Sequence, residues 1–292
     1  MKISIVTPSY NQVQFLEKTI LSVWGQDGDF DLEHIVMDGG STDGSQGILD
    51  RYEQLYRSGN CPRQGGSFSF SWQSRPDNGQ ADALNRGFSA ATGEVLGWLN
   101  SDDLFSGNGA LQAVATAFRE HDADLIVGNV RMIDAADREI PTPILINSLD
   151  NAALQKKLRG IDRVSIIAQP GCFFKRRVWE KLGIAPYYYS LDWNLWIEAY
   201  RAGFRFHKID VHLAAMRQHG EAKSVVAGIN KYREVLSIFK KNHVWCLNRF
   251  YYYLYLQALR LEGMPFLGSA AGRLMEHGKR IRNILINRYR LY

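Results

Sequence analysis

Two aspartates stand side by side where an apolar run stops, in Gly97-Trp98-Leu99-Asn100-Ser101-Asp102-Asp103. Neighbouring like charges repel, so placing Asp102 and Asp103 together calls for a compensating partner. Carboxylate oxygens suit Mg2+ or Mn2+, and Mg2+ commonly uses one or two carboxylates plus substrate phosphates. The same pair can instead open a turn and cap the following helix, positions where Asp is favoured. Other chemistry-bearing side chains sit at similar breaks. Asp38 closes the apolar run 34–37, Asp77, Gln80, Asp82 and Asn85 precede or lie on a helical pattern, and Asp192 opens LDWNLWIEAYRAG. His219 stands in Arg217-Gln218-His219-Gly220; a neutral imidazole suits Mn2+, although a lone His more often has a structural role.

Such groups need elements that bring them together. Short apolar runs at 3–6, 34–37, 67–72, 95–99 and 125–127 read as strands. Between them, Phe15, Leu16, Thr19, Ile20 and Val23, then Ile48, Leu49 and Tyr52, then Ala81, Leu84, Phe88 and Ala91, recur at helical spacing. Strand–helix alternation of this kind predicts an α/β fold: an open, mostly parallel central sheet with helices on both faces. Ligands of such sheets bind beyond the carboxyl ends of the strands. Residues 7–11, 38–43 and 100–103 all fall at those ends, so three polar clusters are expected to face one crevice. The second half is less regular, with strands expected at 171–174 and 204–216, helices at 176–182 and from Asp192 to Gly203, and a helical pattern from Val225 onward.

The 292 residues carry a net charge of +5, with 46% hydrophobic and 22% charged residues, an ordinary globular balance. Cys61, Cys172 and Cys246 form no CxxC pair, which argues against a zinc knuckle or a disulfide framework and for a reducing, cytoplasmic setting. The N-terminal apolar run is too short for a signal peptide, and 250–261 is interrupted by Gln257 and Arg260, so no spanning helix is expected. Residues 231–292 hold 12 Lys+Arg against 3 Asp+Glu, which leaves residues 1–230 at −4. With Phe250, Tyr251, Tyr252, Tyr253 and Tyr255, this basic tail suits an anionic membrane surface on the inner face of the cell membrane. Packing of the aromatics on the core is the alternative, and no nucleic-acid partner is expected.

Four stretches, TPSYNQVQFLEKTILSVWGQ, IVMDGGSTDGS, PDNGQADALNRGFSAATGEVLGWLNSDD and LDWNLWIEAYRAG, together resemble the family 2 glycosyltransferases of the GT-A fold, over about residues 1–220 and in the family's order. The resemblance implies transfer of a sugar from a nucleotide diphosphate donor, with inversion at the anomeric carbon, assisted by Mn2+ or Mg2+. It implies that Thr7, Pro8 and Tyr10 form the first nucleotide-binding loop, that Asp38 helps read the base and ribose, and that Asp77, Gln80, Asp82 and Asn85 line the donor site. It implies a metal site among Asp102, Asp103 and His219, with Asp103 favoured for the metal and Asp102 for the ribose. Arg217 and Lys223 are further phosphate candidates, and Asp192 takes the place of the general base.

The chain departs from the family at three points. Gly39 follows Asp38 where many relatives have a second acid, Asn100 replaces an acid of the Asp-x-Asp signature, and Leu191 replaces the Glu of a Glu-Asp pair. The first departure leaves the base open; a UDP-sugar is the default, with GDP and dTDP as alternatives. The expected organisation is a transferase domain over 1–224 and a basic, aromatic helical extension over 225–292. The expected function is synthesis of a bacterial-type surface polysaccharide or glycolipid on a glycan or lipid-linked acceptor. A non-catalytic nucleotide-sugar-binding or membrane scaffold protein of the same fold is the rival, since it could retain Asp102 and Asp103 without transfer.

Overall fold

A computed structural model describes residues 1–61, 65–141, 149–161, 166–220 and 228–242. Lys223 and the aromatic tail beyond 242 therefore lie outside the described residues. The chain begins with β1 (Lys2–Ser9), α1 (Val13–Trp24), β2 (Asp31–Asp38), α2 (Ser45–Arg57), β3 (Phe68–Ser74), α3 (Gln80–Ala90) and β4 (Val95–Trp98). It continues through β5 (Leu104–Phe105), α4 (Ala110–Glu120), β6 (Leu125–Ile133), β7 (Glu139–Ile140) and α5 (Asn151–Leu158). A single 3-10 turn at Gln169–Gly171 leads into β8 (Cys172–Lys175), α6 (Arg176–Leu182), α7 (Leu191–Arg201), β9 (Phe206–Arg217) and α8 (Gly228–Lys241).

The strands form one sheet in the order β3-β2-β1-β4-β8-β6-β9-β5, with β7 added on β6. Strands β3, β2, β1 and β4 pair in parallel, β8 is antiparallel to both of its neighbours, and β6 and β9 are again parallel. The mostly parallel sheet expected from the sequence is therefore present. Strands β1 and β4 are covered on both faces, which is why they read as apolar runs rather than as alternating ones. Along β1, Ile3 and Ile5 join a cluster with Leu16, Ile20 and Trp24 of α1, while Val6 joins the opposite one with Leu84 and Phe88 of α3. That period of two places α1 and α3 on opposite sides of the sheet.

The three elements without a sequence signal are short: β5 and β7 have two residues each and α5 has eight. Elements this small show no full period. Helix α5 does carry a local marker, because Asp150 accepts a bond from the Ala153 N–H at its start. Helix α8 opens the predicted C-terminal helical region. Its Val235, Ile238 and Phe239 are buried in the same apolar cluster as Trp193, Trp196 and Ile197 of α7.

Candidate active site

The register of the parallel strands builds one edge of the site. Ser9 of β1 lies beside Asp38 of β2, and Val6 beside Trp98 of β4, so the loops that follow all leave from the same edge. They open into a cleft of about 1130 Å3. Pro8 and Tyr10, Gly39 and Gly40, Asp77 and Gln80, and residues 100–103 line it from the strand ends and the loops beside them, and Asp192 of α7 and Lys231 of α8 line it as well. Tyr10 is 62% exposed, an aromatic ring left open at the rim.

Not every candidate reaches the cleft with its functional atoms. The hydroxyl of Thr7 is 3.0 Å from Nε2 of His34, both buried in the core. Burial holds the pKa of His34 down to about 3, so this imidazole is neutral. Asp38 is turned into its own loop: Oδ2 accepts from the N–H of Gly40 and Ser41 and from the Ser74 hydroxyl (3.1, 2.8 and 2.6 Å), and Oδ1 accepts from the Ser41 hydroxyl at 2.5 Å. Asn85 is pinned away from the cleft, donating to the Ile184 carbonyl (2.9 Å) and accepting from Trp179 Nε1 (3.1 Å) and the Ile184 N–H (2.9 Å). Asp82 accepts from the Asn78 N–H at 3.0 Å and faces Arg86 at 3.4 Å. These four act on the frame of the site.

Gly39 has a steric explanation. A Cβ there would stand 2.9 Å from Asp77 Oδ2 and 3.2 Å from the Tyr10 ring, so a side chain would push two lining residues out of place. Asn100 is explained by its amide. It accepts from Gln80 Nε2 at 2.7 Å while its Nδ2 donates to Asp103 Oδ2 and to Gln169 Oε1, each at 3.1 Å. An acid at 100 would have no N–H for Asp103 and would add a third negative charge.

The aspartate pair sits on a turn that is held from below. The Thr19 hydroxyl donates to the carbonyls of Ser101 and Asp103, both at 2.9 Å. Asp103 is buried, and its Oδ1 accepts from the Arg217 N–H at 2.8 Å. Burial, then the negative charge of Asp102, pushes its carboxyl well above the usual range. Asp102 is more open: Oδ2 lies 3.0 Å from His219 Nε2, and no partner for Oδ1 occurs among the described residues. The His219 ring packs on Phe15 with centroids 4.8 Å apart, behind Asp102. Arg217 is consumed as a brace. Its Nε donates to the Asp102 carbonyl (2.7 Å), one Nη to the Asp134 carbonyl (2.9 Å), and the guanidinium lies 4.7 Å over the Phe15 ring.

Asp192 stands in the first turn of α7. Burial raises its pKa to about 6, opposed by the N–H groups of Trp193 and of Asp192 itself and by Lys231, and assisted by Glu234. A carboxylate titrating there is poised to accept a proton near neutral pH. Asp192 and the 102–103 pair line the same hollow.

Several contributors carried no sequence signal. In the sequence Thr19 is one position of a helical stripe, and Gln169, Tyr188 and Tyr189 belong to the irregular second half. Lys231 and Glu234 are positions of a charged tail. Among the described residues, no three His, Cys, Asp or Glu side chains converge on one point, and no helix is long and apolar enough to cross a membrane.

Comparison with known proteins agrees with this architecture. An uncharacterized glycosyltransferase of Nostoc sp. is 29% identical over 236 residues, covering 75% of this chain and 66% of that protein. An uncharacterized glycosyltransferase of Mycobacterium tuberculosis is 40% identical over 105 residues, 36% of this chain and 35% of that protein. The chain thus spans about two thirds of the first relative and about a third of the second. In structure it resembles a mannosyltransferase from Pyrobaculum calidifontis in complex with GDP-Man and Mn2+ (TM-score 0.60, 16% identity, 99% of this chain and 81% of that one). It also resembles S. aureus TarS 1–349 in complex with UDP-GlcNAc (TM-score 0.56, 16% identity, 90% and 73%). At such identities the likeness speaks for the fold, which is that of the GT-A glycosyltransferases. The sequence model of glycosyl transferase family 2 matches residues 4–183, more than half of the chain, and the protein belongs to that family.

Proposed function

We propose that this protein is an inverting glycosyltransferase that moves a sugar from a nucleotide diphosphate donor, a UDP-sugar by default, to a hydroxyl of a glycan or lipid-linked acceptor. The observation that carries the reading is that Asp192 and the Asp102–Asp103 turn line one cleft. Pro8, Tyr10, Asp77 and Gln80 surround the donor at the strand ends, while Thr7, Asp38 and Asn85 hold the loops that do so. In the transfer step the acceptor hydroxyl oxygen bonds to the anomeric carbon as the bond from that carbon to the diphosphate oxygen breaks. The hydroxyl proton passes to Asp192. Attack from the face opposite the leaving group inverts the centre.

The donor set fits a divalent cation. Asp102 lines the cleft with an oxygen that has no partner among the described residues, His219 stands 3.0 Å from its other oxygen, and Asp103 adds an adjacent carboxyl. A cation held by one or two carboxylates takes its remaining oxygens from water and donor phosphates. Asp102 is nearer the role of ligand than Asp103, whose two oxygens each already hold a hydrogen bond. Bound Mn2+ or Mg2+ would offset the charge that grows on the departing diphosphate. GDP-Man and Mn2+ in the Pyrobaculum enzyme support the same chemistry here.

Residues 1–224 carry most of the transfer site, to which α8 adds Lys231, and the net charge of +9 over 231–292, from 12 Lys+Arg and 3 Asp+Glu, favours an anionic membrane surface for the C-terminal extension. A role in surface polysaccharide or glycolipid synthesis follows from an acceptor presented there. The central test is a thermal-shift screen of UDP-, GDP- and dTDP-sugars with and without Mn2+, followed by nucleotide release with the best binder. Metal-dependent binding with release that Asp192→Asn abolishes supports the enzyme; binding with no release from any donor favours the non-catalytic rival. Sedimentation of the full chain with phosphatidylglycerol vesicles, lost in high salt and absent with phosphatidylcholine alone, checks the membrane contact.

A further inference from the structure

The turn 188–190, which delivers the chain into α7, has no side chain of its own to satisfy it; Ser190, the residue before the helix, makes no capping bond. Its three successive N–H groups instead converge on one carboxylate 44 to 46 residues later. Glu234 Oε2 accepts from Tyr188 at 2.7 Å, and Oε1 accepts from Tyr189 at 2.8 Å and Ser190 at 2.6 Å. A run of backbone N–H groups of this kind forms a nest for an anion. Here helix α8 fills it. The helix is anchored independently of that contact: Phe239 packs edge-on against Trp193 with ring centroids 5.6 Å apart, and the Asn242 side chain and carbonyl accept from Arg201 at 2.8 and 2.7 Å. Lys231, one turn before Glu234, lines the cleft.

We infer that Glu234 is a positioning residue for the transfer reaction, holding the 188–190 turn, and through it Asp192, at the cleft, with α8 thereby part of the working site. This rests on the reading of Asp192 as the base. Gathering three N–H groups on a carboxylate fixes where α7 begins, and Asp192 is its second residue. A base displaced by even an ångström loses much of its effect. The charged and titratable groups around Asp192 are Lys231 and Glu234 on α8 and Cys172 on β8. Lys231 favours the ionised form of Asp192 and Glu234 opposes it. The helix therefore places the carboxylate and adds two opposing charges to the burial that mainly sets the pH range in which it can take a proton.

The experiment compares Glu234→Gln, Glu234→Asp, Glu234→Ala and Lys231→Gln with the unaltered full chain. Amide hydrogen exchange read by mass spectrometry should rise in the segment 185–195 of Glu234→Ala and Glu234→Gln, with the segment 97–105 unchanged. Nucleotide release is followed with Mn2+ and UDP-glucose, UDP-N-acetylglucosamine and GDP-mannose. In Glu234→Gln, kcat should fall about 10- to 100-fold with donor KM unchanged. Its acid limb should move to lower pH, because a negative neighbour is lost. Lys231→Gln should move that limb to higher pH, and Glu234→Asp should recover part of kcat. Unchanged exchange across 185–195 in both Glu234→Ala and Glu234→Gln would overturn the inference without reference to turnover. So would an unchanged kcat and pH limb in Glu234→Gln while Asp192→Asn is inactive. Full activity in Asp192→Asn would instead defeat the assignment of the base. If Glu234→Ala does not fold, the near-isosteric Glu234→Gln supplies both readouts.

Discussion

One wall of the cleft is made by the ends of three adjacent parallel strands, and the other by a turn and a helix start braced from residue 234. On the first wall, backbone pairing between β1, β2 and β4 sets the spacing, and local bonds such as those from Gly40, Ser41 and Ser74 to Asp38 hold each loop. On the second, Asp192 depends on a few side-chain contacts between α7 and α8. A sheet edge resists small shifts because moving one strand breaks a ladder of hydrogen bonds. A helix start held by one carboxylate moves when that carboxylate moves. The two parts of the lining thus differ in how easily a change of sequence can move them.

The largest effect should come from the helical wall. Asp192→Asn is expected to lower turnover by about 10²–10⁴-fold while nucleotide-sugar affinity measured by calorimetry stays the same. In the unaltered protein the rate should climb as pH rises through about 6, where Asp192 loses its proton, and then level off. The asparagine variant should lack that limb. Loss of donor affinity in this variant would erase the division between the walls.

On the strand-end wall, Asp102→Asn should weaken Mn2+-dependent donor binding by about 10–100-fold, with binding in the absence of metal little altered. Titrating donor at several Mn2+ concentrations measures this. An equal loss without metal would assign Asp102 to direct sugar or ribose contact.

A smaller effect is expected beneath that turn. Thr19→Val removes the hydroxyl shared by the Ser101 and Asp103 carbonyls and leaves both without that donor. Urea unfolding should show a loss of about 1–2 kcal/mol. An unchanged midpoint would mean that the bonds from Arg217 and Asn100 suffice to hold the turn.

The smallest effect runs in the opposite direction. The folded-state pKa of Asp192 is raised to about 6, so ionisation costs stability that is lost progressively as pH rises from the unfolded value through about 6. Asp192→Asn should therefore melt higher than the unaltered protein at pH 7.5, by about 2–4 °C. The gap should narrow as pH falls toward 4 and close below the unfolded value of 3.8, where the aspartate is protonated in both states. A scanning-fluorimetry series across that range checks it.

Much of the first wall was legible in the sequence. Doubly covered parallel strands appear as apolar runs, and the polar residues that end them must share an edge, so residues 7–11, 38–43 and 100–103 could be grouped before any coordinates. The direction of individual side chains was not legible. Thr7 belongs to the right strand end, yet its hydroxyl meets His34 27 positions later, and Asn85 has the right spacing on α3 but is drawn to Ile184. His219 and Asp102 were grouped through family likeness; their 3.0 Å approach depends on β9 running back across the sheet to β5. Glu234, one of three acidic residues in a basic C-terminal stretch, showed no period, motif or cap that pointed to Asp192.

The order of apolar and polar residues along the chain was sufficient to determine the alternating strands and helices, the parallel sheet, and the cluster of carboxylates at one edge. These follow from periodicity and local backbone preference, which act over a few residues. Only the tertiary structure decided which carboxylate oxygens remain free at the cleft, which are spent on loops, and that a helix beginning at 228 completes the wall carrying Asp192. Those outcomes depend on contacts between residues tens of positions apart, and such contacts are chosen by how packed elements meet.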